Sequence, residues 1–182
     1  SSGGCRLVPR NGPAPEQVAE ARRLSNLGLS ASDAGDLMRA EGLLEQAVDH
    51  CPTDVDSRKQ YAAVLWERGE KMEAVRHIGT ALSLSPGDID LSLEGGEMYL
   101  KLGLLDDAER LADEAIASAP RSSEAWQLRG QVNLARGKPV EALADFQHSL
   151  AFHPDSRDVL RQTAEVYRQL DRPKRALATL AI

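Results

Sequence analysis

Small apolar residues recur at fixed positions along this chain, in a pattern that repeats every 34 residues. One column of the repeat is always alanine, and it comprises Ala40, Ala74, Ala108, Ala142 and Ala176. A second column holds only glycine or alanine, at positions 28, 62, 96, 130 and 164. Small side chains are needed where two helices cross closely, because a larger side chain would force their axes apart. The pattern therefore predicts repeated pairs of closely packed α-helices.

Glycine and proline recur at the places where these predicted helices end. A third column holds Gly35, Gly69, Gly103 and Gly137, and Asp171 takes this place in the last repeat. Glycine adopts the left-handed conformation at the end of a helix without a steric penalty. Proline cannot continue a helix, and it closes four repeats at positions 52, 86, 120 and 154. Each repeat is therefore predicted to be two helices, near repeat positions 1–14 and 17–30, joined by a short turn.

The starts of the predicted helices carry signals of their own. Two residues after each closing proline stand Asp54, Asp88, Ser122 and Ser156, whose side chains are good acceptors for an N-cap. The register places repeats at 21–54, 55–88, 89–122 and 123–156, with a partial repeat at 157–182. Residues 1–20 are then predicted to be a flexible N-terminal segment that contains the start of the first helix.

One repeat, at residues 123–156, carries most of the signature of a known family. Its signature positions are Trp126, Gly130, Ala142, Phe146 and Pro154. This spacing resembles the tetratricopeptide repeat, a 34-residue helix–turn–helix with the pattern W-x2-L-G-x2-Y, A-x3-F and P. Leu128 lies one place early, and Asn133 stands where the family has tyrosine. The resemblance covers residues 21–182 and implies an all-α fold, a right-handed α-solenoid of stacked helix–turn–helix repeats.

The resemblance also implies a binding surface. In this family the first helices of the repeats line a concave groove that takes a peptide or protein partner. The positions of this chain that fall in the groove register are Lys59, Trp66, Leu93, Glu97, Leu100, Lys101, Gln127, Gln131, Leu134 and Arg161. Trp66, Leu100 and Leu134 hold the same repeat position, which either lines the groove or packs partly against the next repeat. Tryptophan is a favoured anchor in interfaces.

One subtype of the family binds the C-terminal carboxylate of heat-shock chaperones. The subtype requires lysine at repeat position 5 and asparagine at position 9 of one repeat. Here Lys59 holds the first position, but Ala63 holds the second, and asparagine is missing from the required slots. The resemblance therefore predicts a partner other than this carboxylate.

Composition and motifs argue against several other functions. The formal net charge of −6 disfavours nucleic acid as a partner, because a phosphate backbone attracts a basic surface. No run of 18 apolar residues exists, which predicts no transmembrane segment. The four histidines form no recognised metal motif, and the glycines near position 95 follow no strand as a phosphate-binding loop would require. We therefore expect no catalytic residues, no metal and no cofactor.

Two alternatives concern the setting in which the chain works. Cys5 follows small residues, as does the lipidated cysteine of bacterial lipoproteins, although the apolar stretch of such a signal is missing. The chain is therefore expected in the cytoplasm or, if Cys5 is lipidated, at the bacterial cell envelope. The repeats themselves are predicted to be a non-catalytic scaffold. The alternative is that they are the adaptor region of a larger enzyme or of a secretion or envelope machine.

Charge and apolar residues are unevenly distributed toward the end of the chain. Residues 89–122 carry eight acidic and three basic side chains, whereas residues 157–182 carry six basic and three acidic ones. The acidic repeat could guide a partner of basic character. The last helix contains Leu177, Leu180 and Ile182, with no polar capping helix after them. Because terminal repeats need a polar cap, we expect this end to continue into further sequence or to self-associate.

Overall fold

The computed structural model describes residues 13–180, and every regular element within that range is an α-helix. These elements group into two compact units, which divide after Ala81. The first unit contains α1 (Pro15–Asp33), α2 (Leu37–His50), α3 (Val55–Arg68) and most of α4 (Lys71–Leu84). The second unit contains α5 (Ile89–Lys101), α6 (Leu105–Ser118), α7 (Ser123–Ala135), α8 (Pro139–Phe152), α9 (Arg157–Gln169) and α10 (Pro173–Leu180).

In the first unit, α2 packs against both α1 and α3. A methyl group added at Gly28 of α1 would lie 2.7 Å from Cγ of Leu44 and 3.3 Å from the carbonyl oxygen of Ala40. This close approach confirms the predicted reason for the small-residue columns. Helix α3 meets α4 through the rings of Tyr61 and His77, whose centroids are 4.6 Å apart in an edge-on arrangement.

In the second unit, each helix from α6 to α9 packs against its sequence neighbours, and α5 also contacts α7. A methyl group at Gly96 of α5 would lie 2.5 Å from Cδ2 of Leu128 on α7, so these two helices approach closely. At Gly130 the same methyl group would meet the ring of Phe146 at 2.6 Å. Phe146 belongs to a buried apolar cluster built from α8, α9 and α10. Glycine at these positions therefore lets large apolar side chains fill the space between helices.

The capping predictions are confirmed at three helices and wrong at one. The side chains of Asp54, Asp88 and Ser122 accept hydrogen bonds from the third backbone N–H of α3, α5 and α7. Ser156 precedes α9 at the equivalent place, but its side chain makes no such bond. A serine hydroxyl rotates freely, so the residue type alone does not decide whether the cap forms. The first described helix, α1, begins at Pro15, six residues before the first predicted repeat boundary at residue 21.

The turn inside each repeat uses a left-handed residue at every occurrence that the structure describes. The glycines of this column have φ angles between 71° and 92°, and Asp171 adopts 55° in the last repeat. A residue with a Cβ is strained in this conformation, although aspartate tolerates it better than most. The column was thus predicted correctly, and its one exception keeps the same backbone geometry.

Replacing Asp171 with glycine is expected to raise the free energy of unfolding by about 0.5 kcal/mol, because glycine removes the left-handed strain. The matched variant Gly137→Ala should lower it by about 1 kcal/mol. Space around Gly137 is open, so only the backbone conformation separates the two residues there. Chemical denaturation of both variants checks this pair of opposite shifts. A loss of stability in Asp171→Gly would contradict it.

Candidate binding surface

In the first unit, the predicted surface consists of Lys59 and Trp66 on α3. Both side chains are half-buried. The Nζ atom of Lys71, at the start of α4, lies 5.4 Å from the centroid of the Trp66 ring. A cation over an indole face contributes a modest attraction at exposed sites. Trp66 thus packs beside the α3–α4 turn and still leaves part of its ring accessible.

In the second unit, α5 carries four of the predicted residues on one face. Leu93, Glu97, Leu100 and Lys101 follow the spacing i, i+4, i+7 and i+8, which places them along a single helical stripe. The two leucines are half-buried, and the two charged residues are exposed. Lys101 Nζ lies 3.4 Å from a carboxylate oxygen of Glu97. Exposed pairs of this kind are weak, so both charges are available to a partner.

Helix α7 carries the next three predicted residues at the same spacing. Gln127, Gln131 and Leu134 are half-buried, and Leu134 packs against the apolar cluster of α8 to α10. This contact agrees with the alternative in which its repeat position packs partly against the next repeat. Arg161 on α9 is exposed and lies 3.6 Å from Asp158. Helices α5 and α7, which carry the two stripes, are in contact and approach closely at Gly96 and Leu128.

A polar pocket in the first unit was not among the predicted sites. It has a volume of about 290 Å³ and is lined by Arg22, Ser25, Asn26, Asp54, Asp56 and Gln60. The first three residues belong to α1 and the last two to α3. The repeat that contains α1 is the most divergent from the family signature, so the sequence marks this region weakly. A sequence signal was nevertheless present, because Ser25 of α1 holds the same repeat position as Lys59 and Leu93 in the later repeats.

The acidic repeat proves to be partly neutralised by arginines from its own unit. Asp106 and Glu109 of α6 pair with Arg136 at 2.5 and 2.8 Å. Arg110 bonds Glu114 at 2.8 Å. The acidic surface is therefore a weaker guide for a basic partner than the sequence count indicates, because charges 30 residues apart meet in the fold.

Asn133, which stands where the family has tyrosine, contacts a buried carboxylate. Asp145 of α8 is 3% exposed, and its Oδ1 accepts hydrogen bonds from Nε and Nη2 of Arg129 at 3.1 and 2.7 Å. Its Oδ2 accepts a bond of 2.7 Å from the side-chain amide of Asn133. Burial opposes the charge on Arg129, but hydrogen bonds from Arg129 to Asp145 and Asp113 outweigh it and raise the pKa of this guanidinium. Both carboxylate oxygens of Asp145 are thus satisfied, as a buried charge requires.

Arg129 also joins this network to an aromatic stack. Its guanidinium carbon lies 4.6 Å from the centroid of the Trp126 ring. Trp126 in turn stacks on His148 at 4.3 Å and donates a hydrogen bond of 2.9 Å to the carbonyl oxygen of Pro120. The signature tryptophan of this repeat is therefore a packing residue that ties the start of α7 to α8.

Two absences can be stated for residues 13–180. No group of three or more His, Cys, Asp or Glu residues in that range is placed to hold a metal ion. None of the helices described there is long and apolar enough to cross a membrane. Cys5 lies outside the described range, so the expectation about its lipidation stays a prediction.

Several known proteins have sequences similar to this chain. A family model described as tetratricopeptide repeat matches residues 93–157. Tetratricopeptide repeat protein 33 of Mus musculus is 26% identical over 91% of this chain, and its Xenopus laevis counterpart is 29% identical over 62%. The Hsp70-Hsp90 organizing protein of Triticum aestivum is 20% identical over 75% of the chain. The chain spans 63%, 43% and 24% of the lengths of these three relatives.

Solved structures show the same fold. MamA of Desulfovibrio magneticus RS-1 superposes with a TM-score of 0.81 at 19% identity, over 89% of this chain and 92% of that one. A thermophilic TPR protein of Thermus thermophilus superposes with a TM-score of 0.69 at 23% identity, over 88% of each chain. These likenesses confirm the predicted class, an all-α solenoid of helix–turn–helix repeats. The helices of residues 13–180 follow one another in the paired order of such repeats, and the tetratricopeptide repeat model matches the part of the chain between residues 93 and 157.

Proposed function

We propose that this protein is a non-catalytic scaffold that binds a peptide or protein partner along the first helices of its repeats. The observation that carries the proposal is the pair of stripes on α5 and α7. There, half-buried Leu93 and Leu100 lie on a helix that contacts the one bearing Gln127 and Gln131. A surface of partly accessible apolar side chains with polar groups among them suits a protein partner. The two stripes offer apolar, amide and charged side chains for contact with a partner.

We also propose that this chain has no enzymatic activity and does not bind nucleic acid. The charge of −6 supports the second exclusion, because a polyanion is repelled by an acidic protein. The first is supported by the accessible side chains of the two stripes, which are apolar, amide or exposed ion-paired groups. A pull-down with the folded array, followed by mass spectrometry, identifies the partner and tests the proposal directly. Recovery of nucleic acid in place of protein would contradict it.

A second function is that these repeats serve as the adaptor region of a larger enzyme or of a secretion or envelope machine. The wheat Hsp70-Hsp90 organizing protein favours this alternative, because the matching region makes up 24% of its length. Fold likeness alone does not decide between the two functions. The full-length reading frame separates them, since a further domain with catalytic or membrane-anchoring residues would support the second. The place where the chain works, cytoplasm or envelope, is tested by labelling of Cys5 with a lipid precursor.

Trp66→Ala is expected to weaken binding of the captured partner by about 2 kcal/mol, because accessible tryptophans dominate interface energies. Affinity and melting temperature should be measured together. Trp126→Ala is the matched control, since Trp126 is held by a stack and a hydrogen bond within the fold. The control should lose stability and keep its affinity at a temperature where it is folded. If Trp66→Ala also loses stability while its affinity holds, Trp66 is a packing residue.

We also propose that the end of the second unit self-associates through the apolar side of α10. Ala176 of this helix is buried in the apolar cluster, whereas the next residue, Leu177, is 72% exposed. Exposed apolar surface favours association. Sedimentation across a concentration series should show dimers that Leu177→Glu abolishes. Met72→Glu, at a residue of the first unit that is 69% exposed, is the control and should leave them intact; a monomer at every concentration would contradict the proposal.

A further inference from the structure

The polar pocket of the first unit differs in chemistry from the stripes on α5 and α7. Its walls come from α1, which supplies Arg22, Ser25 and Asn26, and from α3, which supplies Asp56 and Gln60. Asp54, the cap of α3, also lines the pocket, and its carboxylate accepts hydrogen bonds from the N–H and the hydroxyl of Ser57. A volume of about 290 Å³ accommodates one or two side chains of an extended peptide.

Three of the six side chains that line this pocket have no hydrogen-bond or ion-pair partner within the described part of the chain, and they are Arg22, Asn26 and Asp56. Arg22 and Asp56 are exposed and form no ion pair there, although both line the same cavity, Arg22 from α1 and Asp56 from α3. The Ser25 hydroxyl donates a hydrogen bond of 2.6 Å to Oε1 of Gln60. This bond orients the Gln60 carboxamide and leaves its two N–H donors available. The side chain of Asn26 is likewise unengaged among the described residues, and it offers both a donor and an acceptor.

The α1 side of the pocket supplies one cation, Arg22, and the α3 side supplies two carboxylates, that of Asp56 and that of Asp54, which Ser57 engages. A ligand of one sign would be attracted by one wall and repelled by the other. A segment with both signs satisfies the two walls together, and the amides of Asn26 and Gln60 can hydrogen-bond its main chain between them. Because Ser25 is buried and fixes Gln60, part of this arrangement is in place before a ligand arrives.

We propose that this pocket binds a partner segment in which an acidic and a basic side chain lie close together. The carboxylate of the segment meets Arg22, and its ammonium or guanidinium group meets Asp56. The inference rests on the proposed scaffold function and specifies which chemistry the partner presents to the first unit. It adds α1 to the binding surface, which the sequence had assigned only to α3 and later helices.

The test uses the full 182-residue chain, labelled with ¹⁵N, and blocked peptides as probes. Each peptide carries one Glu and one Lys separated by one to four glycines, in either order. At the best spacing, backbone amide signals of Ser25, Asn26 and Gln60 should shift on titration. Changing Glu or Lys of the peptide to Gln should weaken binding about two- to fivefold, which is the range for exposed ion pairs.

Two variants of the protein test which side of the pocket binds which charge of the peptide. In Arg22→Gln, replacing the peptide's Glu should no longer weaken binding, whereas replacing its Lys should still do so. In Asp56→Asn, replacing the peptide's Lys should no longer weaken binding, whereas replacing its Glu should still do so. Arg39→Gln and Asp49→Asn, at exposed positions of α2 outside the pocket lining, are the matched controls and should change neither preference. Melting temperatures of all four variants confirm that they are folded.

Two results would overturn the pocket assignment. One is an equal shift of the same amides by an uncharged peptide. The other is an equal loss of affinity for every peptide in Arg22→Gln. The scaffold function would survive either result if the captured partner still depends on Trp66. Conversely, the pocket could bind the peptides with charge selectivity while the pull-down captures no protein. That result would contradict the scaffold function and support the pocket assignment.

Discussion

Replacing Arg129 with alanine should lower the free energy of unfolding of the second unit by about 3 kcal/mol. The variant leaves Asp145 buried with only the amide of Asn133 to compensate its charge. It also removes the cation from the face of Trp126 and the bond to Asp113. We place the effect at the lower end for a broken buried pair, because the side chain of Arg129 is 28% exposed. Chemical denaturation followed by circular dichroism measures the change.

A charge-matched control isolates the buried carboxylate as the cause. Arg110→Ala removes an exposed arginine that pairs with Asp107 and Glu114, and it should cost less than about 1 kcal/mol. The double variant Arg129→Ala/Asp145→Leu should recover part of the loss, because it removes the unpaired charge as well. Equal losses in Arg129→Ala and Arg110→Ala would show that the network around Asp145 contributes no more than a surface pair.

Phe146→Ala should be the most destabilising single change in the second unit, at about 4 kcal/mol. Phe146 is fully buried, and its ring fills the space above Gly130. No side chain at position 130 can move in to close the cavity, because that residue is glycine. The loss should extend to α9 and α10, whose buried residues share the same cluster. Hydrogen exchange of amides in α9, together with denaturant unfolding, measures both effects.

Phe152 is the natural control for this substitution. It is 39% exposed and lies at the end of α8, with the guanidinium carbon of Arg121 5.8 Å from its ring centroid. Phe152→Ala should therefore cost less than about 1.5 kcal/mol and leave the exchange in α9 unchanged. A small effect of Phe146→Ala, comparable with that of the control, would mean that this cluster can collapse around the missing ring.

The helices of this protein could be predicted closely because their limits depend on neighbouring residues. Helix α3 begins after its cap Asp54 and ends at Gly69, and both signals act within one turn of the helix. The same holds for Pro139 and Pro173, which open α8 and α10. The cap predicted at Ser156 does not form, because the residue type alone does not decide whether a serine side chain makes this bond.

The binding surface could be predicted only in part. The family resemblance implied that Leu93, Glu97 and Leu100 line the groove, and their helical spacing puts all three on one face of α5. Periodicity carries no information about which faces of separate helices enclose a cavity. The pocket between α1 and α3 therefore remained hidden, although its residues were visible in the sequence.

By itself, the sequence determined the repeat, the helix pairs and the small residues at their crossings, because each of these depends on spacing and on local backbone preference. Tertiary structure decided which charges meet. Asn133 was visible as a departure from the family pattern, but only packing brought it within 2.7 Å of Asp145 on the next helix. Likewise, only the fold set Arg136 beside Asp106, 30 residues away. Such pairs depend on the distance between helices and on burial, and neither quantity has a period along the chain.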